Sequence, residues 1–473
     1  MAADQSLSTE RLNDDLAPDI AEKAKRHLLQ PWPMVSAVGD DLRTVIRSSD
    51  GILVYDEAGN PLIDGPAGMW CVNVGHRRRE IADAISDQLT NLPYVSPWYT
   101  TSGPAAELAS RIADYAPGDL QHVFLTTGGS TAVETALRFA MFFNNVLGRP
   151  DKKVILSRAD AYHGSTYLTA AICGKVRDKN WMDSPEGMAE FLSSPNPYRR
   201  PRGQSVEDYE DHLIQELEDK IAELGADRIA AFVGEPVLAS GGVVVPPDGY
   251  FKRAREVCRK HDILFVSDEV VTGFGRLGHM FASKHVFDTE PDMITFAKGV
   301  TSGYFPLGGV IISHALFERM KVTDAADAMF SHGYTYTSHP AGCAAALANF
   351  DIMENEKILE HVREVGPYFQ EQLETLKELP LVGDVRGKGL MACVECVLDH
   401  ESRAPLELDY DVGKRIDRHC QDLGLLVRPL VNMCVMSPPL IITREQIDKM
   451  VSILREGISR TMADLRKEGS WNG

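Results

Sequence analysis

Nowhere in the chain do about 18 apolar residues follow one another without interruption, the least a membrane-spanning helix needs, so no membrane span is predicted. Positive charge is equally scarce: 49 Lys and Arg stand against 68 Asp and Glu, for a formal net charge of −19. Nucleic acids and anionic membranes bind through basic surfaces, and this balance argues against both as partners. The opening stretch, Met1 to Asp19, lacks a basic segment followed by an apolar one, so no secretory signal is expected. Eight cysteines in 473 residues are too few for a disulfide framework. The one CxxC, Cys393-Val394-Glu395-Cys396, falls in a predicted strand, where residues three apart face opposite sides. Buried small hydrophobes are a simpler reading of that pair than metal or redox use, and a cytoplasmic location is expected.

What is present is ordinary for a globular protein of two or three domains, with 44% hydrophobic and 25% charged residues. Apolar runs at Val123–Leu125, Val154–Leu156, Ile229–Val233, Ile263–Val266, Met293–Phe296 and Val310–Ile312 read as strands. Helical patterns lie between them, as where Leu213, Leu217, Ile221 and Leu224 recur at helical spacing. Such alternation predicts an α/β fold with a mainly parallel sheet covered on both faces, over residues 75–340. Residues 1–74, an N-terminal arm, and residues 341–473, helix-rich and then stranded, are expected to form a smaller α+β domain. The Pro-, Ser- and Arg-rich segment from Asn180 to Gln204 reads as a long surface loop.

Chemistry concentrates at two strand ends. Ile263–Val266 delivers Asp268, within Ser267-Asp268-Glu269-Val270-Val271-Thr272-Gly273-Phe274-Gly275-Arg276, and Met293–Phe296 delivers Lys298, thirty residues on. Residues at such ends line the crevice where open α/β sheets bind ligands. A carboxylate and a lysine so placed suit pyridoxal 5′-phosphate (PLP), the lysine holding its aldehyde as a Schiff base and the aspartate pairing with the ring nitrogen. Asp268 and Val270 share a face, whereas Glu269 points the other way and cannot make a carboxylate pair with Asp268. A lysine after four mostly apolar residues is costly to bury, and desolvation makes its neutral amine available.

Four further motifs complete the pattern. Thr126-Thr127-Gly128-Gly129-Ser130-Thr131-Ala132, between a strand and a helix, offers backbone N–H groups, a hydroxyl and a helix N-terminus to a phosphate. Tyr162-His163-Gly164 follows a strand and brings an aromatic ring that can stack on a flat cofactor. Gly273-Phe274-Gly275-Arg276-Leu277-Gly278 matches GxGxxG, but neither a long helix nor a strand-end acid completes a dinucleotide unit. Arg428, inside the apolar Leu425–Leu430, offers a fork for a carboxylate; a structural ion pair, with Glu235 as one candidate partner, is the other reading.

Together these residues resemble the class III aminotransferases, PLP enzymes of fold type I, and within them the ω-transaminases that pair amines or ω-amino acids with pyruvate. The likeness runs from Asp64-Gly65-Pro66-Ala67-Gly68-Met69-Trp70 to Ser437-Pro438-Pro439-Leu440. It implies a large domain with a mainly parallel seven-stranded sheet. It further implies Lys298 as the Schiff-base lysine, Asp268 as pyridinium partner, Val270 behind the ring and Tyr162 stacked on it. Gly129 and Ser130 would form the phosphate cup, with His163 and Glu235 beside the cofactor. His332-Gly333-Tyr334-Thr335-Tyr336 is similar to the family segment whose threonine reaches the phosphate of a neighbouring subunit. Tyr334 and Thr335 thus imply a homodimer with two shared sites, pairing into a tetramer being left open. Arg428 resembles the mobile arginine that takes the acceptor's carboxylate, and Trp70, Trp98, Tyr99 and Tyr162 resemble pocket wall. Thr131 stands where relatives commonly carry glutamate, and Trp98 and Tyr99 where they carry phenylalanines. The activity implied is ping-pong transfer from a small-molecule amine to a 2-oxo acid, with an aminomutase or decarboxylase on the same fold as the alternative. The donor, whether taurine-like, polyamine, β-amino acid or arylalkylamine, is not legible.

Overall fold

A computed structural model describes residues 17–40, 43–404 and 409–471; most of the stretch read for a secretory signal lies outside them. A seven-stranded sheet forms the centre. Its strands are β1 (Leu120–Thr126), β2 (Val154–Arg158), β3 (Ala189–Leu192), β4 (Ile229–Gly234), β5 (Leu264–Asp268), β6 (Met293–Phe296) and β7 (Gly308–Ser313). Their spatial order is β1-β7-β6-β5-β4-β2-β3. Only β7 runs antiparallel to its neighbours β1 and β6, so the sheet is mainly parallel as expected. β3 is a correction: it lies inside the segment read as a surface loop. Four residues flanked by Gly187 (φ 66°) and a Ser-Ser-Pro run are too short to register as an apolar period, and pairing with β2 alone makes them a strand.

Alternation along each strand feeds two cores. Ile155, Ala231, Val233 and Val266 pack beneath helix α1 (Gly129–Val146), through Val133, Leu137 and Phe143. Leu156, Phe232 and Phe265 face the opposite side, against Leu213, Leu217 and Ile221 of the helix Val206–Leu224 and against Phe251. The sheet is therefore covered on both faces, as fully apolar parallel strands require.

Two four-stranded sheets flank this centre. The strands Ile46–Asp50, Leu53–Asp56 and Pro61–Asp64 form a meander, extended by Leu425–Leu426 running parallel to the third. Val382–Lys388, Met391–Cys396, Met433–Met436 and Arg428–Leu430 form an antiparallel sheet. Cys393 and Cys396 lie in separate hydrophobic cores and all eight thiols are free, which fits the reading of the CxxC as buried hydrophobes. The glycines of the GxGxxG pattern serve packing: a Cβ at Gly275 would lie 2.8 Å from Leu440, and one at Gly278 2.6 Å from Arg363. The helix after them, Ala282–Phe287, has only six residues. Arg276, wholly buried, donates to the carbonyls of Leu390 and Pro438 and to Asn73 Oδ1, and so ties the centre to both flanking regions.

Candidate active site

The C-terminal ends of β1, β2, β4, β5 and β6 open on one crevice, and each contributes a residue singled out in the sequence. β5 ends on Asp268, whose side chain is almost wholly buried. Its Oδ2 accepts from His163 Nδ1 at 2.7 Å. Its Oδ1 accepts from the backbone of Val270 at 3.2 Å and from Thr295 Oγ1 at 3.1 Å. Three donors thus fix the orientation of the carboxylate. Glu269 turns away as expected, accepting from Ala282 N, Ser283 N and Thr272 Oγ1; burial raises its pKa.

Lys298 follows β6 in a left-handed conformation (φ 46°), a costly backbone for a side chain that clusters at functional sites. It is half-buried. Desolvation pulls its pKa below the usual lysine value, while the charge of Asp268 pushes the other way and Arg428 adds to the depression. The next residue must be small, since a Cβ at Gly299 would fall 2.3 Å from Asn73 Nδ2.

Gly129 and Ser130 open α1, an 18-residue helix whose N-terminus faces the crevice from the end of β1. A Cβ at Gly129 would approach Val270 Cγ1 to 2.9 Å, so the glycine lets the cup close against the residue beside Asp268. Ser130 Oγ accepts from Ser165 N at 3.1 Å, which joins the cup to the Tyr162-His163-Gly164 turn after β2. Tyr162 is half-buried, its hydroxyl 2.9 Å from Ser165 Oγ and its backbone N–H donating to Glu235 Oε1 at 3.1 Å. Burial raises the pKa of both Tyr162 and Glu235.

The ion pair of Arg428 with Glu235, the candidate partner under the structural reading, is not formed. Glu235 spends its two oxygens on the backbone N–H groups of Tyr162 and Ala239, capping its own turn. Arg428 instead lies over the Trp70 ring, 5.4 Å from its centroid, with Nη1 against Met69 Sδ. Burial pushes its guanidinium pKa down to about 10, and among the described residues it has no carboxylate partner. Trp70 itself is buried, at φ 65°.

The remaining residues stand together elsewhere. Trp98 and Tyr99 are exposed, at 57% and 91%, and a Cβ at Gly333 would touch the Trp98 ring at 3.2 Å. Tyr334 reaches the cup of its own subunit, donating to Thr131 O at 3.3 Å, whereas Thr335 is exposed and its carbonyl accepts from Tyr94 OH at 2.9 Å. Sequence reasoning missed Thr295, although a threonine in the otherwise apolar β6, three residues before Lys298, was a visible signal. It also missed Trp32 of the N-terminal arm, whose ring centroid lies 6.1 Å from that of Tyr162. No periodicity marks Pro31-Trp32-Pro33, so only the fold reveals that contact.

This set could hold a flat, anionic cofactor. His163 Nε2 is a buried polar atom without a partner among the described residues, the cup is shaped by an absent Cβ, and a buried carboxylate, a desolvated amine and a helix N-terminus face the same space. Among the described residues no cluster of His, Cys, Asp and Glu could hold a metal, and no helix is long and apolar enough to cross a membrane.

Comparison with known proteins agrees with this chemistry. The family model "Aminotransferase class-III" matches residues 35–458. The putrescine–pyruvate aminotransferase of Pseudomonas aeruginosa is 37% identical over 442 residues, covering 93% of this chain and 96% of the relative. A mitochondrial gamma aminobutyrate transaminase of Solanum lycopersicum is 36% identical, over 88% of this chain and 81% of its own. Among solved structures, an (S)-enantioselective omega-transaminase from Thermomicrobium roseum superposes with a TM-score of 0.89 at 38% identity, over 95% of this chain and 98% of that one. The omega transaminase of Pseudomonas jessenii in complex with PMP gives 0.91 at 33% identity, over 94% and 99%. With fold, crevice and relatives in accord over nearly its whole length, the chain belongs to the class III aminotransferases, PLP-dependent transferases of fold type I.

Proposed function

We propose that the enzyme moves the amino group of an amine or ω-amino acid to a 2-oxo acid, with pyruvate as the acceptor, in two half-reactions at one site. The observation that carries this reading is Arg428, a desolvated cation near Lys298 that lies on the Met69 thioether and the Trp70 ring, near Tyr162, and has no carboxylate partner among the described residues. A buried charge without a partner is costly, and an acceptor's carboxylate supplies a bidentate one. A donor lacking a carboxylate leaves the arginine on Met69 and Trp70, so one pocket serves both substrates. The names of the relatives support the pairing: one is a putrescine–pyruvate aminotransferase and several are omega-transaminases.

In this reading Lys298 would tether PLP, Asp268 would pair with its ring nitrogen, Val270 and Tyr162 would pack against the ring, and Gly129, Ser130 and the start of α1 would take the phosphate. PLP, when bound, supplies an electron sink for the substrate carbon that bears nitrogen. Asp268, oriented by three donors, would pair with the ring nitrogen and favour its protonated form. His163 fixes the carboxylate, and Glu235 fixes the Tyr162 backbone. Lys298 Nζ, its pKa lowered by desolvation, would be the group that takes the proton from the substrate carbon.

The same reading makes the enzyme a cytoplasmic homodimer. Eight free thiols suit a reducing compartment. Trp98, Tyr99 and Tyr336, exposed beside Thr335, form an apolar surface of the kind that marks an interface, and Thr335 would complete the phosphate site of the second subunit.

The test follows the near-visible absorbance of the bound cofactor. A panel of amines should bleach it, and pyruvate should restore it faster than 2-oxoglutarate. Bleaching that no 2-oxo acid reverses would overturn the assignment.

A further inference from the structure

The strand Pro61–Asp64 delivers a carboxylate that is 1% exposed, far from the lysine in sequence and unused in the chemistry above. Both Asp64 oxygens accept from Gly68 N, at 2.9 Å each, and Oδ2 also lies 2.8 Å from His76 Nε2. The histidine is anchored in turn, its backbone N–H donating to Gly51 O at 2.8 Å.

The chain that Asp64 grips is strained. Ala67 (φ 47°), Gly68 (φ 64°) and Trp70 (φ 65°) are all left-handed within four residues. Two of these carry a Cβ, and such conformations persist only where the surroundings over-determine them, typically at ligand clamps. Here the turn presents Met69 and Trp70, the two side chains that hold the Arg428 guanidinium.

The other end of Arg428 is fixed by the same turn. A Cβ at Gly65 would fall 2.3 Å from Leu426 O, so the strand leading to Arg428 passes directly against the start of the turn. Leu426 pairs in register with Asp64 itself. Ser437 closes the assembly, its N–H donating to Gly65 O at 2.7 Å and its hydroxyl to Pro66 O at 3.0 Å.

We propose that Asp64 and His76 are positioning residues for the carboxylate subsite: by gripping the strained turn at Gly68 they set where Met69 and Trp70 place the Arg428 guanidinium. The inference rests on the reading of Arg428 as the acceptor's carboxylate site.

The two readings are separable by experiment on the holoenzyme. His76→Leu removes the contact to Asp64, and His76→Gln restores an amide donor at similar reach. The probe is propionate, a carboxylate with no carbonyl to react, titrated by calorimetry alongside the two half-reactions. His76→Leu should weaken propionate binding about five- to tenfold, the worth of about one ordinary net hydrogen bond. It should raise KM for pyruvate by a similar factor at little changed kcat, leave the half-reaction with an amine lacking a carboxylate within about twofold of wild type, and be rescued by His76→Gln. Should His76→Leu not fold, Ser437→Ala, which removes only the hydroxyl contact at the other end of the turn, should shift propionate binding in the same direction by a smaller factor. Unchanged propionate binding in these variants, or equal losses in both half-reactions without rescue by His76→Gln, would overturn the proposal. Arg428→Ala is measured in parallel: if it does not itself weaken propionate binding, the reading of Arg428 has failed, and the inference falls with it for that separate reason.

Discussion

His163 Nδ1 lies 2.7 Å from Asp268 Oδ2, with both side chains sealed from solvent, and the other ring nitrogen of the histidine has no partner among the described residues. In the proposed function the imidazole, holding the carboxylate through this bond, would act on the cofactor only through Asp268.

That hierarchy can be read in rates. Asp268→Asn keeps the shape and removes the charge that holds the ring nitrogen protonated; the amine half-reaction should slow by about 10²–10³ while Lys298 still retains the cofactor. His163→Phe keeps the ring volume and loses only the donor, and a drop of about tenfold is expected. Stopped-flow bleaching with a saturating amine measures both. A His163→Phe enzyme as slow as Asp268→Asn would show that the histidine acts on the reacting atoms directly.

Lys298 should make the cofactor-free protein less stable than it could be. Burial lowers its pKa, so the unfolded chain binds the proton more tightly than the folded one. The sign follows: this group opposes folding most fully below its folded pKa, and stability recovers as pH rises through the window up to the ordinary lysine value. At neutral pH, Lys298→Met should therefore stabilise the cofactor-free enzyme by about 0.5–2 kcal/mol, the range common when a functional residue is replaced by a fitting apolar one. Urea unfolding at pH 7 and at pH 10 checks it, with the gap between variant and wild type expected to narrow at the higher pH. Gel filtration should show that the variant no longer retains PLP.

Both strand ends that carry this chemistry were legible because a charged residue stood at the end of an apolar run, an arrangement with few explanations other than a crevice. Arg428 was legible as a cation in an apolar strand, but its partner was not. Glu235 had the right charge, yet one of its oxygens caps Ala239 in its own turn and the other takes the backbone of Tyr162, 73 residues away, and backbone contacts of that kind leave no trace in spacing. Met69 and Trp32 reach the site through left-handed turns, at Trp70 and at Trp32 itself, which no periodicity announces. The edge strand β3 failed for a related reason, since four residues paired on one side carry too little pattern to outweigh the prolines and serines around them.

Gly164 is a further residue whose importance is steric. At φ 137° its missing Cβ would lie 2.7 Å from both Ser130 Oγ and Thr169 Oγ1. Gly164→Ala must displace the serine hydroxyl from the cup or shift the turn that carries Tyr162 and His163. We expect PLP to bind about tenfold more weakly, with inorganic phosphate losing affinity in parallel, and stability to fall by about 1–3 kcal/mol. Fluorescence titration of the cofactor-free protein with PLP, repeated in competition with phosphate, separates damage to the cup from damage to the ring site. A loss for PLP with phosphate unaffected would place the effect at Tyr162.

A dimer with shared sites makes a prediction that no monomer can meet. Lys298→Ala should be inactive because the tether is gone. Thr335→Arg should be nearly inactive if Thr335 completes the neighbouring subunit's phosphate site, because a bulky cation there obstructs it. Thr335 is exposed in the single subunit and makes only a backbone contact with Tyr94, so this substitution should leave the subunit fold intact. Mixed, unfolded and refolded together in equal amounts, the two inactive proteins should form half of their dimers as hybrids. In each hybrid one site carries both defects, and the other pairs a native Lys298 with a native Thr335 from its neighbour. Activity of about a quarter of wild type should then appear on mixing, from statistics alone. If Thr335 served its own subunit instead, each hybrid site would carry one defect and mixing would restore nothing.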